Sequence, residues 1–135
     1  MKIKKCVGAI IYFENKIFLM TSPKWKAWII PGGKIEESET EEQALKREIK
    51  EELGIKISNI EKVGTKIKFP SPDFKEKDVK FIFIDFFAKA LSTQIKPNKE
   101  IKEYGWFTLK EALNLPLIDS TKQLIEQFKE VKYKN

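Results

Sequence analysis

Apolar and polar positions alternate along this chain in a way that predicts strands at both ends and one long helix between them. Residues 3–13 and 16–21 are apolar runs joined by Glu14-Asn15, the pattern of a hairpin. Ala27–Ile30 reads as a short strand that stops at Pro31-Gly32-Gly33, a sequence that must turn sharply. Ser38 and Thr40 are alternative helix N-caps, with Glu41 and Gln43 completing the respective capping boxes. Helical spacing then runs to Leu53, and Gly54 is placed to end it in a left-handed conformation. Ile55–Ile57 and Ile60–Phe69 read as strand, and residues 70–78, with two prolines, as a loop. Val79–Leu91, rich in Phe and Ile, predicts a buried strand, and Tyr104–Thr108 a last short one. Leu109–Leu113 supplies a turn or two of helix. Ser120–Val131 predicts a closing helix, with Ser120 and Gln123 as its capping box and Leu124, Ile125 and Phe128 on its apolar stripe. With no repeat, linker or low-complexity stretch in view, the expectation is one α/β domain over residues 1–135.

The central helix holds an unusual stripe. At about 100° per residue, with Glu48 at zero, Glu52 falls near 40° and Glu51 near 300°. Leu45, Ile49 and Leu53 occupy the arc that would face the core, so the three carboxylates border the buried face while Lys46, Lys50 and Arg47 point elsewhere. Like charges at i,i+3 and i,i+4 each destabilise a helix by roughly 0.2–0.5 kcal/mol. A helix built only for solubility would alternate signs, as Glu42 and Lys46 do. Spacing alone fits a divalent-cation site and a solvated charged face equally well. The adjacent Pro-Gly-Gly turn favours the cation, because glycines let backbone atoms approach a ligand.

Composition narrows the chemistry. The 135 residues contain no His and one Cys, which excludes a histidine-based triad, His-ligated zinc, an internal disulfide and a cysteine metal cluster. Cys6, within an apolar run, reads as a small buried hydrophobe. Any metal ligands must then be carboxylates and carbonyls, which select hard cations such as Mg²⁺ or Mn²⁺. Residues 33–55 carry eight glutamates against four basic residues, a local net charge of −4 in a chain of net +6, so the remainder is +10. An acidic island inside a basic field suits a cation site that attracts anions. Among 26 basic residues Arg47 is the single arginine, and it lies within that island. Such usage suggests a position needing a planar, bidentate donor.

Gly33, Glu39, Arg47, Glu48, Ile49, Glu51, Glu52, Gly54 and Ile55 match the Nudix box, G-x5-E-x7-R-E-U-x-E-E-x-G-U with U aliphatic, at every specified position. On average composition a chance match is below about one in 10⁹ per starting position. The chain therefore resembles the Nudix hydrolases, and its size makes it similar to the short mutator-type nucleoside triphosphate pyrophosphohydrolases. The resemblance implies an α/β/α sandwich around a mixed sheet, with the box as a loop–helix–loop. It also implies Mg²⁺- or Mn²⁺-dependent hydrolysis of a nucleoside diphosphate linked to a further group. By that analogy Glu48, Glu51 and Glu52 bind metal, with the Gly33 carbonyl and Glu100 as further ligands. Arg47 holds a box glutamate in place and Glu39 supports the loop, with Gly32 and Gly54 as structural members of the motif. Glu52 is expected to bridge metal, and Glu48 to act as general base in preference to the later Glu100 and Glu103. A homodimer is in keeping with the resemblance.

The substrate is less legible. Trp28 takes the place of an aromatic common before the turn and reads as structural. Trp25, flanked by Lys24 and Lys26, is a candidate to stack on a base while lysines meet phosphates, and Lys34 is a candidate phosphate contact. Each has an equal reading as an exposed side chain. Pro70 lies 15 residues past Ile55, where a proline marks ADP-ribose hydrolases, but it is also an ordinary strand terminator. The stretch Phe-Pro-Ser-Pro-Asp-Phe at residues 69–74 lacks the tyrosine typical of dinucleoside-polyphosphate hydrolases. The expected reaction is conversion of a nucleoside triphosphate, normal or oxidised, to monophosphate and pyrophosphate. The alternatives are ADP-ribose or dinucleoside polyphosphate hydrolysis, RNA decapping or RNA binding, and nucleotide sensing without catalysis. A nucleic-acid partner is not expected, since no basic-aromatic strand or RNA-binding signature is present. Nothing resembles a spanning helix or signal peptide, so no membrane partner and a cytoplasmic location are expected.

Overall fold

A computed structural model describes residues 2–69 and 78–132, apart from the side chain of Trp25. Among these residues seven strands form one mixed sheet: β1 (Lys2–Phe13), β2 (Lys16–Ser22), β3 (Trp25–Ile29), β4 (Gly32–Lys34), β5 (Ile57–Lys68), β6 (Val79–Ala90) and β7 (Glu103–Thr108). Helices α1 (Glu41–Leu53), α2 (Leu109–Leu113) and α3 (Asp119–Lys132) pack on it. The spatial order is β3-β2-β1-β6-β5, with β4 paired to β1 and β7 to β2. β1 and β6 run parallel from Lys2↔Val79 to Tyr12↔Lys89, and the other pairs are antiparallel. No helix among the described residues is long and apolar enough to cross a membrane.

Two cores explain the near-continuous apolar reading of β1. A strand covered on both faces loses the polar alternation of a half-exposed one. Val7, Ala9 and Ile11 face α1 and join Leu45, Ile49, Leu53, Ile84 and Phe86. Ile10 faces the other way, with Ile17, Leu19 and Phe87, and meets Ala112 of α2 and Leu124, Ile125 and Phe128 of α3. The architecture is the α/β/α sandwich that the sequence resemblance implied.

The helix boundaries follow local chemistry. Of the two candidate N-caps, Thr40 is used: its Oγ1 accepts from Gln43 N–H (3.1 Å), and Gln43 Oε1 accepts from Thr40 N–H (2.9 Å). Ser38 instead sits in the preceding loop at φ 69. Gly54 ends α1 at φ 70, its N–H donating to the Lys50 carbonyl. For α3 the expected Ser120 cap is corrected. The helix begins at Asp119, and the Ile118 carbonyl already accepts from Lys122 N–H, which leaves Ser120 inside the first turn.

Two strand expectations also change. Ile57 and the run from Ile60 belong to one strand, β5, which leaves Ile55 and Lys56 of the expected first run outside it and whose register shifts between Ser58 and Glu61 as Asn59 takes φ 50. The apparent break is thus a bulge. Gly32 and Gly33, read only as part of a turn, form β4 with Lys34 against Cys6–Gly8 of β1. Glycine is required there, because a Cβ on Gly32 would lie 2.1 Å from the Val7 carbonyl oxygen. The expected loop at residues 70–77, including Pro70, lies outside the described residues.

The cap assignment has a direct test. Thr40→Ala removes one side-chain acceptor from the first turn of α1 and is expected to cost about 1 kcal/mol in urea unfolding, with Ser38→Ala costing much less. Equal losses would mean that the helix starts elsewhere.

Candidate active site

The side chains of Leu45, Ile49 and Leu53 anchor α1 in the core, and their helical neighbours Glu48 and Glu52 consequently lie along its margin against β4. Glu52 is only 3% exposed. Its Oε1 accepts from Gly32 N–H at 3.2 Å. Glu48 stands beside it, sharing a side-chain hydrogen bond with it. A Cβ on Gly33 would fall 2.3–2.5 Å from the Glu48 carboxylate atoms, so the second glycine is the recess that receives that group. Burial pushes the Glu52 carboxyl up to about 8, and the charges of Glu48 and then Glu100 add to the effect, against the opposing Gly32 N–H bond. A like charge beside a buried carboxylate disfavours its ionised form.

Arg47 corrects the helical-wheel reading, which turned it away from the carboxylates. Its long side chain reaches back across the end of β4. Nε and Nη2 bind the two oxygens of Glu39 at 2.6 and 2.9 Å, Nη2 also donates to the Lys34 carbonyl (2.9 Å), and Nη1 donates to Glu48 (2.9 Å) and Glu51 (3.3 Å). Hydrogen bonding from Arg47 holds the Glu39 carboxyl below the usual range, and Glu39 in turn raises the guanidinium further. No lysine can make this fork. The chain's one arginine thus ties the box loop, β4 and the helix together.

The remaining candidates divide. Glu100 lies close enough for its charge to act on Glu52, on a connection fixed to the end of α1 by Asn98 N–H donating to the Glu52 carbonyl. Glu51 has a side chain 58% exposed and is turned toward Arg47. Glu103 sits at the start of β7, its N–H bonded to Thr21 Oγ1. Trp28 sets its ring edge-on against Phe107, and its backbone N–H donates to the Pro116 carbonyl. Lys24 is exposed at the β2–β3 turn and does not line the cleft described below. The Trp25 side chain lies outside the described residues. Lys34 is exposed at the end of β4, and Cys6 is half-buried, with burial raising its thiol pKa.

A cleft of about 520 Å³ opens where β4 meets the sheet, lined by Gly8, Ile30 and Gly32 on one side and by Phe81, Phe83 and Asp85 on the other. Leu124 and Thr121 of α3 also line it. Sequence reasoning missed this cleft. Its one trace was Asp85 interrupting an apolar strand, a signal that alternation alone does not assign to a site.

The donor set fits a hard divalent cation. Among the described residues no three acidic or cysteine groups stand at ligating spacing around one point. Mg²⁺, however, keeps several waters and needs only one or two protein carboxylates. Glu48 and the buried Glu52, side by side at the margin of α1, supply those two.

A family model for the NUDIX domain matches residues 2–128. The chain is 29% identical over 106 residues to the nucleoside triphosphatase NudI of Klebsiella pneumoniae, covering 74% of each chain. It is 31% identical over 130 residues to the NAD-capped RNA hydrolase NudC of Vibrio atlanticus, covering 93% of this chain but 45% of that longer protein. Among solved structures, a MutT NUDIX hydrolase from Burkholderia pseudomallei superposes with a TM-score of 0.78 at 26% identity, covering 94% of this chain and 98% of the other.

The buried carboxyl predicts a pH-dependent stability. Between the unfolded Glu value of about 4.3 and the folded value of about 8, the folded state binds a proton that the unfolded state does not. Stability of the metal-free protein should therefore fall as pH rises through that window and level off above it. Glu52→Gln, which needs no proton, should melt close to wild type near pH 4.5 and about 5 °C or more above it at pH 8.5, in chelator. Parallel pH profiles for the two proteins would contradict the burial of a strained carboxyl.

Proposed function

The chain belongs to the Nudix hydrolase family, an enzyme family acting on nucleotides with the help of divalent metal, and from that premise we propose that it hydrolyses a nucleoside triphosphate to monophosphate and pyrophosphate. The observation that carries the reading is the junction at Gly32-Gly33. Gly32 lines the cleft and binds Glu52, while Gly33 receives Glu48. A cleft wide enough for a nucleoside thereby abuts the carboxylates that would hold the cation. The similarity to NudI, named a nucleoside triphosphatase, supports the same choice.

In this reading Glu52 and Glu48 would hold Mg²⁺ or Mn²⁺, with the Gly33 carbonyl, Glu51 and Glu100 as further donors, and the cation would supply charge neutralisation for phosphate oxygens and a more acidic water. Glu48, the more accessible of the pair, serves as general base. Arg47 orients Glu48 through Nη1 while Glu39 locks Arg47 in turn. Lys34, at the exposed end of β4, meets phosphate oxygens. The NAD-capped RNA hydrolase reading has a higher-identity relative behind it, but this chain spans under half of that protein's length.

Product analysis by chromatography from a nucleotide panel with Mg²⁺ tests the proposal. The panel holds normal and oxidised nucleoside triphosphates, ADP-ribose, diadenosine tetraphosphate and NAD-capped RNA. The expected result is pyrophosphate from triphosphates, reduced about 100-fold or more in Glu52→Gln. Full activity in that variant would remove Glu52 from the site, and selective turnover of ADP-ribose or capped RNA would replace the substrate class.

Arg47→Lys separates positioning from direct chemistry. Losing the fork to Glu39 should lower kcat about 10- to 100-fold and raise the Mg²⁺ concentration needed, with the folded state retained by circular dichroism. Unchanged metal dependence would argue that Arg47 serves only the fold.

A further inference from the structure

The floor of the cleft has an arrangement that metal chemistry does not require. Strand register places Gly64 of β5, Asp85 of β6, Gly8 of β1 and Gly32 of β4 in a single row across the sheet. Three of the four positions in that row have no side chain, and the fourth is a carboxylate. A Cβ on Gly64 would meet nothing within 4 Å, so that glycine is not imposed by packing. Asp85 is thus the one side chain of that row, 8% exposed and lining the cleft. The next residues on the same face are Phe83 and Phe81, whose rings lie nearly parallel with centroids 6.0 Å apart, a flat apolar wall beside the carboxylate.

A carboxylate in such a place is costly without strong partners. Among the described residues the ion pair of Asp85 is with Lys66, whose Nζ is 3.5 Å away, longer than the 2.7–2.9 Å of a strong charge-assisted bond. The pair is loose enough for a planar group to engage both ends. Lys68 lies over the Phe83 ring at 5.8 Å, adding positive charge at the rim.

Resting on the reading of this cleft as the base site of a triphosphate hydrolase, we infer that Asp85 and Lys66 select a guanine-type base, a purine with a 6-oxo and a 2-amino group. The chemistry is complementary in kind and order. An ionised carboxylate only accepts hydrogen bonds and an ammonium only donates. Guanine presents two adjacent donors, N1–H and N2–H, which match the two carboxylate oxygens, and beside them O6, which matches the ammonium. Adenine and cytosine offer a single donor followed by a ring acceptor, which would face the second carboxylate oxygen. Uracil offers one donor between two acceptors. Oxidation at C8 leaves the guanine edge untouched, so the pair accepts normal and 8-oxidised guanine alike.

The test compares kcat/KM for GTP, 8-oxo-GTP, ITP, XTP, ATP, CTP and UTP by pyrophosphate release, for wild type and Asp85→Asn. For wild type GTP and 8-oxo-GTP should lie within a few-fold of each other. Removing the 2-amino group in ITP should cost about 10-fold, and ATP, CTP and UTP about 100-fold. In Asp85→Asn the amide accepts from N1–H and donates to a 2-oxo group, so GTP should fall about 100-fold while XTP rises above GTP. That exchange of preference is what a merely structural Asp85 would not produce. A uniform loss across all bases in Asp85→Asn, or equal wild-type rates for GTP and ITP, would overturn the inference and leave the triphosphate reading intact. Should the variant fail to fold, the wild-type comparison of GTP with ITP decides alone. Wild-type inertness toward every triphosphate beside turnover of another panel nucleotide would overturn the triphosphate reading and this inference with it.

Discussion

The site depends on keeping one carboxylate, Glu52, out of water beside another. Glu52 is buried because α1 must turn Leu45, Ile49 and Leu53 into the core, and the helical period carries position 52 to the edge of the same face. Once there, it needs hydrogen-bond donors in place of water. The Gly32 N–H fills part of that need, and it reaches Glu52 only because β4 pairs with β1 closely enough to forbid a Cβ at Gly32. The short strand, the glycine pair and the buried acid are therefore one arrangement. Changing any of them shifts the charge balance of the others.

Arg47 is the counterweight. It draws Glu39, Glu48 and Glu51 around one guanidinium and binds the Lys34 carbonyl, so the box loop is fixed to the helix by charge-assisted bonds rather than by apolar packing. Glu52 has no share in that cation, and this explains why the strain concentrates on it. The excess negative charge of the helix is partly neutralised at Arg47, while burial beside Glu48 raises the Glu52 carboxyl.

The sheet also divides labour between its faces. Alternation along β4 sends Gly33 toward Glu48 and α1, and Gly32 toward the cleft. Along β6 the same alternation sends Ile84 and Phe86 into the α1 core, while Phe81, Phe83 and Asp85 line the cleft. Chemistry and recognition thus occupy opposite sides of a single layer and meet at two adjacent glycines. In an extended chain neighbouring residues face opposite ways, so two consecutive positions suffice to connect them.

The sequence by itself determined the parts whose information is local. The α1 end at Gly54, its two candidate caps Ser38 and Thr40, the β1–β2 hairpin and the carboxylate stripe are written in spacings of one to four residues, where capping and helical period operate; the structure chose Thr40. The nine-position motif identified the family for the same reason, since its residues lie within 23 consecutive positions. Tertiary structure decided what depends on register between distant strands. Gly32–Lys34 became a strand because β1 lay alongside it, although three residues containing two glycines have no strand propensity of their own. Arg47 turned toward the carboxylates because β4 and Glu39 supplied acceptors that a helical wheel does not contain. The row of Gly64, Asp85, Gly8 and Gly32 spans four strands drawn from separate parts of the chain, and only hydrogen-bonded pairing between them brings it together.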